Sequence, residues 1–250
     1  MFVLEGGINH FGRISEANIL LKFFLKSNFN KISFMIHTNL FYSTNKKKGL
    51  NFELPYKFYK DSIDKVHKKK KKIGLSVCDI ESFNKYKDLN FDFYKLLSVS
   101  INNYELINCL KKKKNNYVST GFANHKKIKN CLKAFGNSEF TLLHTPMSYN
   151  EKDLCFKKIY SLKKKYNKKV GYSHHHNNNN AIYALSAYKP DEIFLYVRQK
   201  DKINRIYPDH DHAIKINDLE SLRINYLKCE KMHLVNKKYK VNIFNNEIKI

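Results

Sequence analysis

Arginine, glycine, proline and tryptophan are scarce in this chain of 250 residues, and these shortages exclude several classes of protein. With 8 glycines, 4 prolines and no tryptophan, the sequence has neither a collagen-like repeat nor a linker rich in Pro, Gly or Ser. Cysteine is also rare, and its five positions show no CxxC spacing. We therefore expect neither a disulfide framework nor a zinc ribbon.

Long apolar runs are missing as well. No apolar stretch approaches the roughly 18 residues that a membrane span needs, so we expect no membrane partner. The N-terminus carries a carboxylate, Glu5, within its first five residues and has no basic leader before an apolar core. We predict that the chain has no signal peptide and is cytoplasmic.

The formal net charge is +25, from 47 Lys and Arg against 22 Asp and Glu. Only 4 of these basic residues are arginines, whereas asparagine reaches 30, a pattern typical of AT-rich codon usage. Proteins that read bases or bind nucleic-acid phosphates rely on the arginine fork. The lysine clusters also lie between apolar segments, where solvated loops are expected. We therefore predict no nucleic-acid partner.

Short apolar runs alternate with longer segments of helical period, which is typical of βα units and a parallel sheet. The predicted strands are 2–9, 31–37, 72–78, 91–98, 116–120, 139–145, 169–173 and 192–198. The predicted helices are 14–28, 61–71, 79–88, 103–113, 124–135, 153–166, 179–189 and 217–229. In the last helix, Asn217 and Glu220 predict a capped start.

Eight such units in about 230 residues indicate an α/β fold, a closed (β/α)8 TIM barrel, with a doubly wound open sheet as the alternative. We predict one barrel domain over residues 1–230. A short C-terminal tail over 231–250 contains one further strand-like run at 239–244.

Polar residues end nearly every predicted strand, which is where a TIM barrel carries its reacting groups. Small hydroxyls with one lysine suit an anionic, phosphorylated ligand, and histidines beside carboxylates suit a divalent metal. A single Ser or Thr at such a place can equally be a turn or cap residue. The polar ends include Asn9, His10, Ser76, Asp79, Lys95, Ser98, Ser119, His144, Tyr149, Ser173, the histidines 174–176 and residues 208–212.

The order of these motifs resembles that of the sialic acid synthase family, whose enzymes condense phosphoenolpyruvate with an N-acylated hexosamine. Residues 5–12, from Glu5 to Gly12, are similar to the family's opening E-x-G-x-N-H-x-G. The later motifs follow collinearly: Ser76 to Asp79 at S-T-P-F-D, Lys95 to Ser98 at K-I-x-S, Ser119 to Ala123 at S-T-G-M-A, Leu142 to Tyr149 at L-L-H-C-x-x-x-Y-P, Val170 to His175 at V-G-Y-S-D-H, and Pro208 to His210 at P-D-H.

The resemblance implies a (β/α)8 barrel that makes a nonulosonic, sialic-type acid in carbohydrate biosynthesis. In the family a divalent metal, Mn²⁺ or Mg²⁺, polarises the sugar aldehyde, C3 of phosphoenolpyruvate attacks it, water adds at C2 and phosphate leaves. A homodimer is the expected assembly. By position, Lys95, Ser98, Ser119 and Ser173 would bind phosphoenolpyruvate, Glu5, Tyr149 and Asp209 would be catalytic, Asn9 and His10 would contact substrate, and His175 would be a metal ligand.

Several positions depart from the family pattern. The K-F-Q of the second strand, whose lysine reaches phosphoenolpyruvate, aligns with Ser33 to Met35. The E-K-H of the eighth strand, whose histidine is the second protein ligand of the metal, aligns with Leu195 to Val197, and valine cannot bind a metal. His174 replaces the aspartate of S-D-H, and the family's C-terminal antifreeze-like domain has no counterpart after Cys229.

Three readings of these departures follow. In the first, the enzyme is active because other residues replace the missing groups. His174, His176, His210 or His212 would replace the metal ligand, and Arg198 or a lysine would replace the missing cation. In the second, the barrel is catalytically impaired and binds a sugar or phosphate ligand. In the third, the chain is an unrelated barrel aldolase in which Lys95 forms a Schiff base.

Overall fold

The computed structural model describes residues 1–201 and 206–233. Eight parallel strands pair in sequence order, and the first pairs with the eighth, so the sheet closes into a barrel. The predicted TIM barrel is thus confirmed. The strands are β1 (Phe2–Glu5), β2 (Lys31–Met35), β3 (Lys72–Val77), β4 (Phe93–Leu96), β5 (Asn116–Ser119), β6 (Phe140–His144), β7 (Val170–His174) and β8 (Ile193–Arg198), with a two-residue β9 (Ile214–Lys215) beside β8.

The described residues form nine helices, most of them packed around the barrel. None of these helices is long and apolar enough to cross a membrane. They are α1 (Ile14–Lys26), α2 (Asn39–Lys47), α3 (Tyr56–Lys68), α4 (Ile80–Tyr86), α5 (Tyr104–Leu110), α6 (His125–Phe135), α7 (Lys157–Tyr166), α8 (Asn180–Leu185) and α9 (Leu219–Met232).

The middle of the barrel is filled by an apolar cluster of Val3, Phe93, Tyr117, Leu143 and Phe194. Successive strand residues point to opposite faces, so the residues two positions further along each strand also face the barrel axis. The cluster therefore forms the floor of a cavity whose walls are the C-terminal ends of the strands.

Two glycines leave the space that the side chains of this floor occupy. A Cβ at Gly74 would lie 2.2 Å from the ring of Phe93, and a Cβ at Gly171 would lie 2.8 Å from the Leu143 side chain. On the N-terminal side of the floor, Lys31 donates a hydrogen bond to Tyr117 and forms an ion pair with Glu192.

The element boundaries differ from the predicted ones where local turn chemistry intervenes. β1 ends at Glu5 instead of residue 9, because the chain turns at Gly7, which has φ +51°. Helix α2 was not predicted, although Thr38 caps it by accepting a hydrogen bond from the Phe41 amide. Helix α3 begins directly after Pro55, five residues earlier than predicted.

The predicted cap of α9 is wrong. Asp218, not Asn217, precedes the helix, and no side chain caps it. Glu220 instead accepts hydrogen bonds from Arg223 and Asn28 at Oε1, so its side chain is directed to these groups and not to the start of the helix. The strand-like run predicted at 239–244 and most of the tail lie outside the described residues.

Candidate active site

A buried ion pair occupies the barrel axis above the apolar floor. Lys95 on β4 places its Nζ 2.6 Å from Glu5 Oε2 on β1 and donates a 3.0 Å hydrogen bond to Ser173 Oγ on β7. The second oxygen of Glu5 lies 3.4 Å from the Ser76 hydroxyl on β3. Lys95 is only 1% exposed, so its charge is balanced by protein groups and not by water.

A row of hydroxyl groups lies on the adjoining strand ends. Ser98 Oγ lies 2.7 Å from Ser119 Oγ, which lies 2.7 Å from Thr145 Oγ1. The backbone amide of Gly121 donates to Ser98 Oγ at 3.0 Å. Because hydroxyls and backbone amides can all donate to an oxyanion, this row with Lys95 suits a phosphate or carboxylate.

Three aromatic rings meet at the mouth of the barrel. The ring centroids of His175, Tyr196 and His212 lie 5.0 to 5.2 Å apart. Tyr149 is half exposed and its hydroxyl lies 3.4 Å from His212 Nδ1. Burial lowers the pKa of His212 to about 4 and holds the pKa of His175 well below its usual value. The cavity at this mouth has a volume of about 340 Å³.

Asp209 is held beside this cluster by Asn9. The amide of Asn9 donates to the Val197 carbonyl and accepts from the Asp209 amide, both at 3.0 Å. Asp209 Oδ2 is buried without a hydrogen-bond partner among the described residues. Burial, together with the Glu5 carboxylate, raises the pKa of Asp209 to about 7. A Cβ at Gly7 would lie 2.7 Å from Asp209 Oδ2, so this carboxylate needs a glycine there.

His10 is fully buried below the loop that follows β1. Its Nδ1 accepts a 3.0 Å hydrogen bond from the Gly12 amide, and burial lowers its pKa to about 4. A protonated Nδ1 could not accept this bond, so the native state favours the neutral ring.

Stability is therefore expected to fall as the pH decreases from about 6.5 to about 4. In this range the unfolded chain binds a proton at His10 that the native protein does not, which costs about 3 kcal/mol over the window. The measurement is the free energy of unfolding against pH for wild type and His10→Gln, whose amide oxygen can still accept from Gly12. In His10→Gln the free energy of unfolding should depend less steeply on pH. His125→Gln, at the exposed start of α6, is the control and should keep the wild-type dependence. Equal slopes for wild type and His10→Gln would contradict the prediction.

The NeuB family model matches residues 22–238 of the chain. The chain belongs to the NeuB family. A search of curated proteins found no match.

Several solved structures share the barrel at low sequence identity. The N-acetylneuraminic acid (sialic acid) synthetase of Leptospira borgpetersenii, in complex with citrate, aligns with TM-score 0.84 and 21% identity, covering 96% of this chain and 87% of that one. The spore coat polysaccharide biosynthesis protein spsE of Bacillus subtilis aligns with TM-score 0.78 and 17% identity, covering 92% and 68%. The DAHP synthase of Thermotoga maritima aligns with TM-score 0.72 and 11% identity, covering 93% and 69%.

In this NeuB barrel, the residue at the top of β8 that faces the site is Tyr196, not Val197. Val197 packs in the apolar layer between strands and helices, whereas Tyr196 contacts His175 and His212. On β2, Ser33 is buried and its hydroxyl has no hydrogen-bond partner within the part of the chain that the structure describes. Neither Tyr196 nor Ser33 therefore provides an imidazole or a cation to the site.

Three of the proposed replacements have other roles. His174 is buried on the outer face of β7, near the Tyr172 ring. His176 binds the Tyr149 carbonyl and the Asn178 amide through its two nitrogens. Arg198 forms an ion pair with Asp201, so its charge is already neutralised.

NeuB-family enzymes typically use a divalent metal. Among the described residues, no three His, Cys, Asp or Glu side chains are grouped so that they could enclose one. The mouth does offer the neighbouring imidazoles of His175 and His212, and the buried Nε2 of His212 has no hydrogen-bond partner among the described residues. This arrangement fits an open site, in which water and substrate complete the coordination.

The sequence analysis did not single out Thr145 and Tyr196 as part of this site. Thr145 ends a predicted strand, so its position was a usable signal. Tyr196 lies within an apolar run, and only the direction of its side chain reveals that it faces the site. His212 appeared only as one of four possible replacement histidines.

Proposed function

We propose that the protein condenses phosphoenolpyruvate with an N-acylated hexosamine to form a nonulosonic, sialic-type acid. The observation that carries the proposal is the buried Lys95 ammonium, in contact with Glu5 and Ser173, together with the row of hydroxyls at the ends of the adjoining strands. The row ends at the Gly121 amide, so anion donors extend over several strand ends. Membership of the NeuB family supports the same class of small-molecule substrates.

Phosphoenolpyruvate would bind with its anionic groups on Lys95, Ser98, Ser119 and Ser173. Each of these groups can donate a hydrogen bond, and Lys95 adds a point charge in a site with little water. Glu5 forms an ion pair with Lys95, so an incoming anion would compete with this carboxylate for the ammonium.

The sugar would enter through the mouth, where Tyr149 and Asp209 lie. With a pKa near 7, Asp209 can carry a proton to the aldehyde oxygen as C3 of phosphoenolpyruvate forms the new bond. Asn9 would act by positioning Asp209, because both ends of its amide bind backbone groups. His10 lies behind the loop and contacts Gly12, so its role would be to shape that loop.

A divalent metal, Mn²⁺ or Mg²⁺, held with His175 as one ligand, would supply Lewis-acid polarisation of the sugar aldehyde. The remaining side chains at the mouth orient the sugar and limit the access of water. We propose a cytoplasmic enzyme that assembles as a homodimer and has no nucleic-acid partner.

The test is phosphate release from phosphoenolpyruvate with a panel of N-acylated mannosamine-type sugars and Mn²⁺. Release should require both the sugar and the metal and should disappear in His175→Ala. His125→Ala is the control, because that histidine is exposed at the start of α6, away from the barrel mouth. Folded protein that releases no phosphate with any sugar would refute the synthase proposal.

One observation favours a second function, a barrel that binds a sugar or phosphate without turnover. Ser33 faces the site where the family has a lysine, so one of the expected cations is missing. Binding of phosphoenolpyruvate without phosphate release would identify this function. The Schiff-base reading has less support, since an ammonium in a 2.6 Å ion pair with Glu5 is not a free amine.

A further inference from the structure

We propose that His212, in the segment between β8 and α9, supplies with His175 the second imidazole of a divalent-metal site at the barrel mouth. The inference rests on the proposed function, since that function brings a metal to this place. In the family the second protein ligand of the metal comes from the eighth barrel strand, whereas here it would come from a loop.

The strand cannot provide this ligand itself. Val197 packs among apolar side chains between the strands and the helices. Tyr196 faces the site through its ring contacts with His175 and His212, but a neutral phenol is a weak metal ligand. A side chain from outside β8 is therefore required.

Three other histidines, His10, His174 and His176, are excluded by their surroundings. His174 points to the outer face of β7, and both nitrogens of His176 bind backbone groups. His10 is enclosed beside Phe34, with its Nδ1 on the Gly12 amide. Unlike these three rings, His212 has a ring contact with His175, with ring centroids 5.0 Å apart.

The surroundings of His212 match those of a ligating imidazole. Its Nδ1 lies 3.4 Å from the Tyr149 hydroxyl, which can accept the ring proton and leave Nε2 free to bind a cation. Nε2 is buried and has no hydrogen-bond partner among residues 1–201 and 206–233. Asp209 Oδ1 lies 3.8 Å from this nitrogen and adds negative charge beside it.

The experiment is a titration of metal-free protein with Mn²⁺, without substrates, followed by the electron paramagnetic resonance signal of free Mn²⁺. Wild type should bind one ion per chain. His175→Ala and His212→Ala should each weaken binding by at least about 100-fold, and Tyr149→Phe by about 10-fold, because loss of an outer partner costs less than loss of a ligand.

His210→Ala is the matched control, because it lies in the same segment and no ring contact links it to His175 in the described structure. It should bind Mn²⁺ as wild type does. If His212→Ala does not fold, His212→Gln replaces it, and spin-echo detection of ¹⁴N couplings in wild type should count two imidazoles on the bound Mn²⁺.

Unchanged Mn²⁺ affinity in His212→Ala, or a single imidazole on the ion in wild type, would overturn the inference, as would a wild type that binds no Mn²⁺. None of these results depends on turnover. A protein that binds Mn²⁺ through both imidazoles but releases no phosphate would keep this site and refute the synthase function instead.

Discussion

Replacing Lys95 by methionine is expected to weaken binding of phosphoenolpyruvate by about 100-fold and to lower phosphate release by at least that factor. Methionine keeps much of the length of the side chain but removes the ammonium that would meet the anion. Lys95 is 1% exposed, so a water-exposed cation cannot easily take its place. The binding measurement is calorimetric titration with phosphoenolpyruvate alone.

The barrel provides its own control for this substitution. Lys31 also lies inside the barrel and is also paired with a glutamate, Glu192, but on the other side of the apolar floor. Lys31→Met should therefore leave the affinity for phosphoenolpyruvate unchanged. If both variants bind as wild type does, the phosphoenolpyruvate site is not at Lys95. If both lose binding equally, the effect is one of folding.

Replacing Glu5 by glutamine is expected to lower the free energy of unfolding by about 3 kcal/mol, because it leaves the Lys95 ammonium buried and unpaired. The side chains of this pair are 2% and 3% exposed, so water cannot compensate. For a chain of this length, the melting temperature should fall by on the order of 10 °C. Thermal and denaturant unfolding of the ligand-free protein measure both quantities.

A double-mutant cycle separates the pair from its surroundings. Glu5→Gln combined with Lys95→Met should cost less than the sum of the single changes, since no charge is then left unpaired. Glu192→Gln, at the more exposed pair with Lys31, should cost less than Glu5→Gln. Additive losses in the cycle would contradict the prediction.

An anionic ligand should partly reverse the Glu5→Gln effect. Because the carboxylate no longer competes for the ammonium, saturating phosphoenolpyruvate should raise the melting temperature of Glu5→Gln more than that of wild type. A smaller increase in the variant would mean that Glu5 helps to hold the ligand instead of competing with it.

The fold could be predicted from the sequence alone, and so could the end of the barrel at which the candidate site lies. Eight apolar runs alternating with helical segments predict a parallel α/β fold, and eight units in about 230 residues match the size of a closed barrel. Lys95, Ser119 and Ser173 stand at the ends of these runs, and the barrel brings them to one end. Their order along the chain carries the family resemblance, which the NeuB match over residues 22–238 confirms.

Which side chains contact one another in the site depends on the tertiary structure. Strand residues alternate between two faces, so an offset of one position separates Tyr196, in the site, from Val197, under the helices. The same alternation brings His175 into the site and turns His174 away from it. The pairing of Glu5 with Lys95, 90 residues apart, and the approach of His212 to His175 depend on barrel closure and on the path of one loop, which no local pattern encodes.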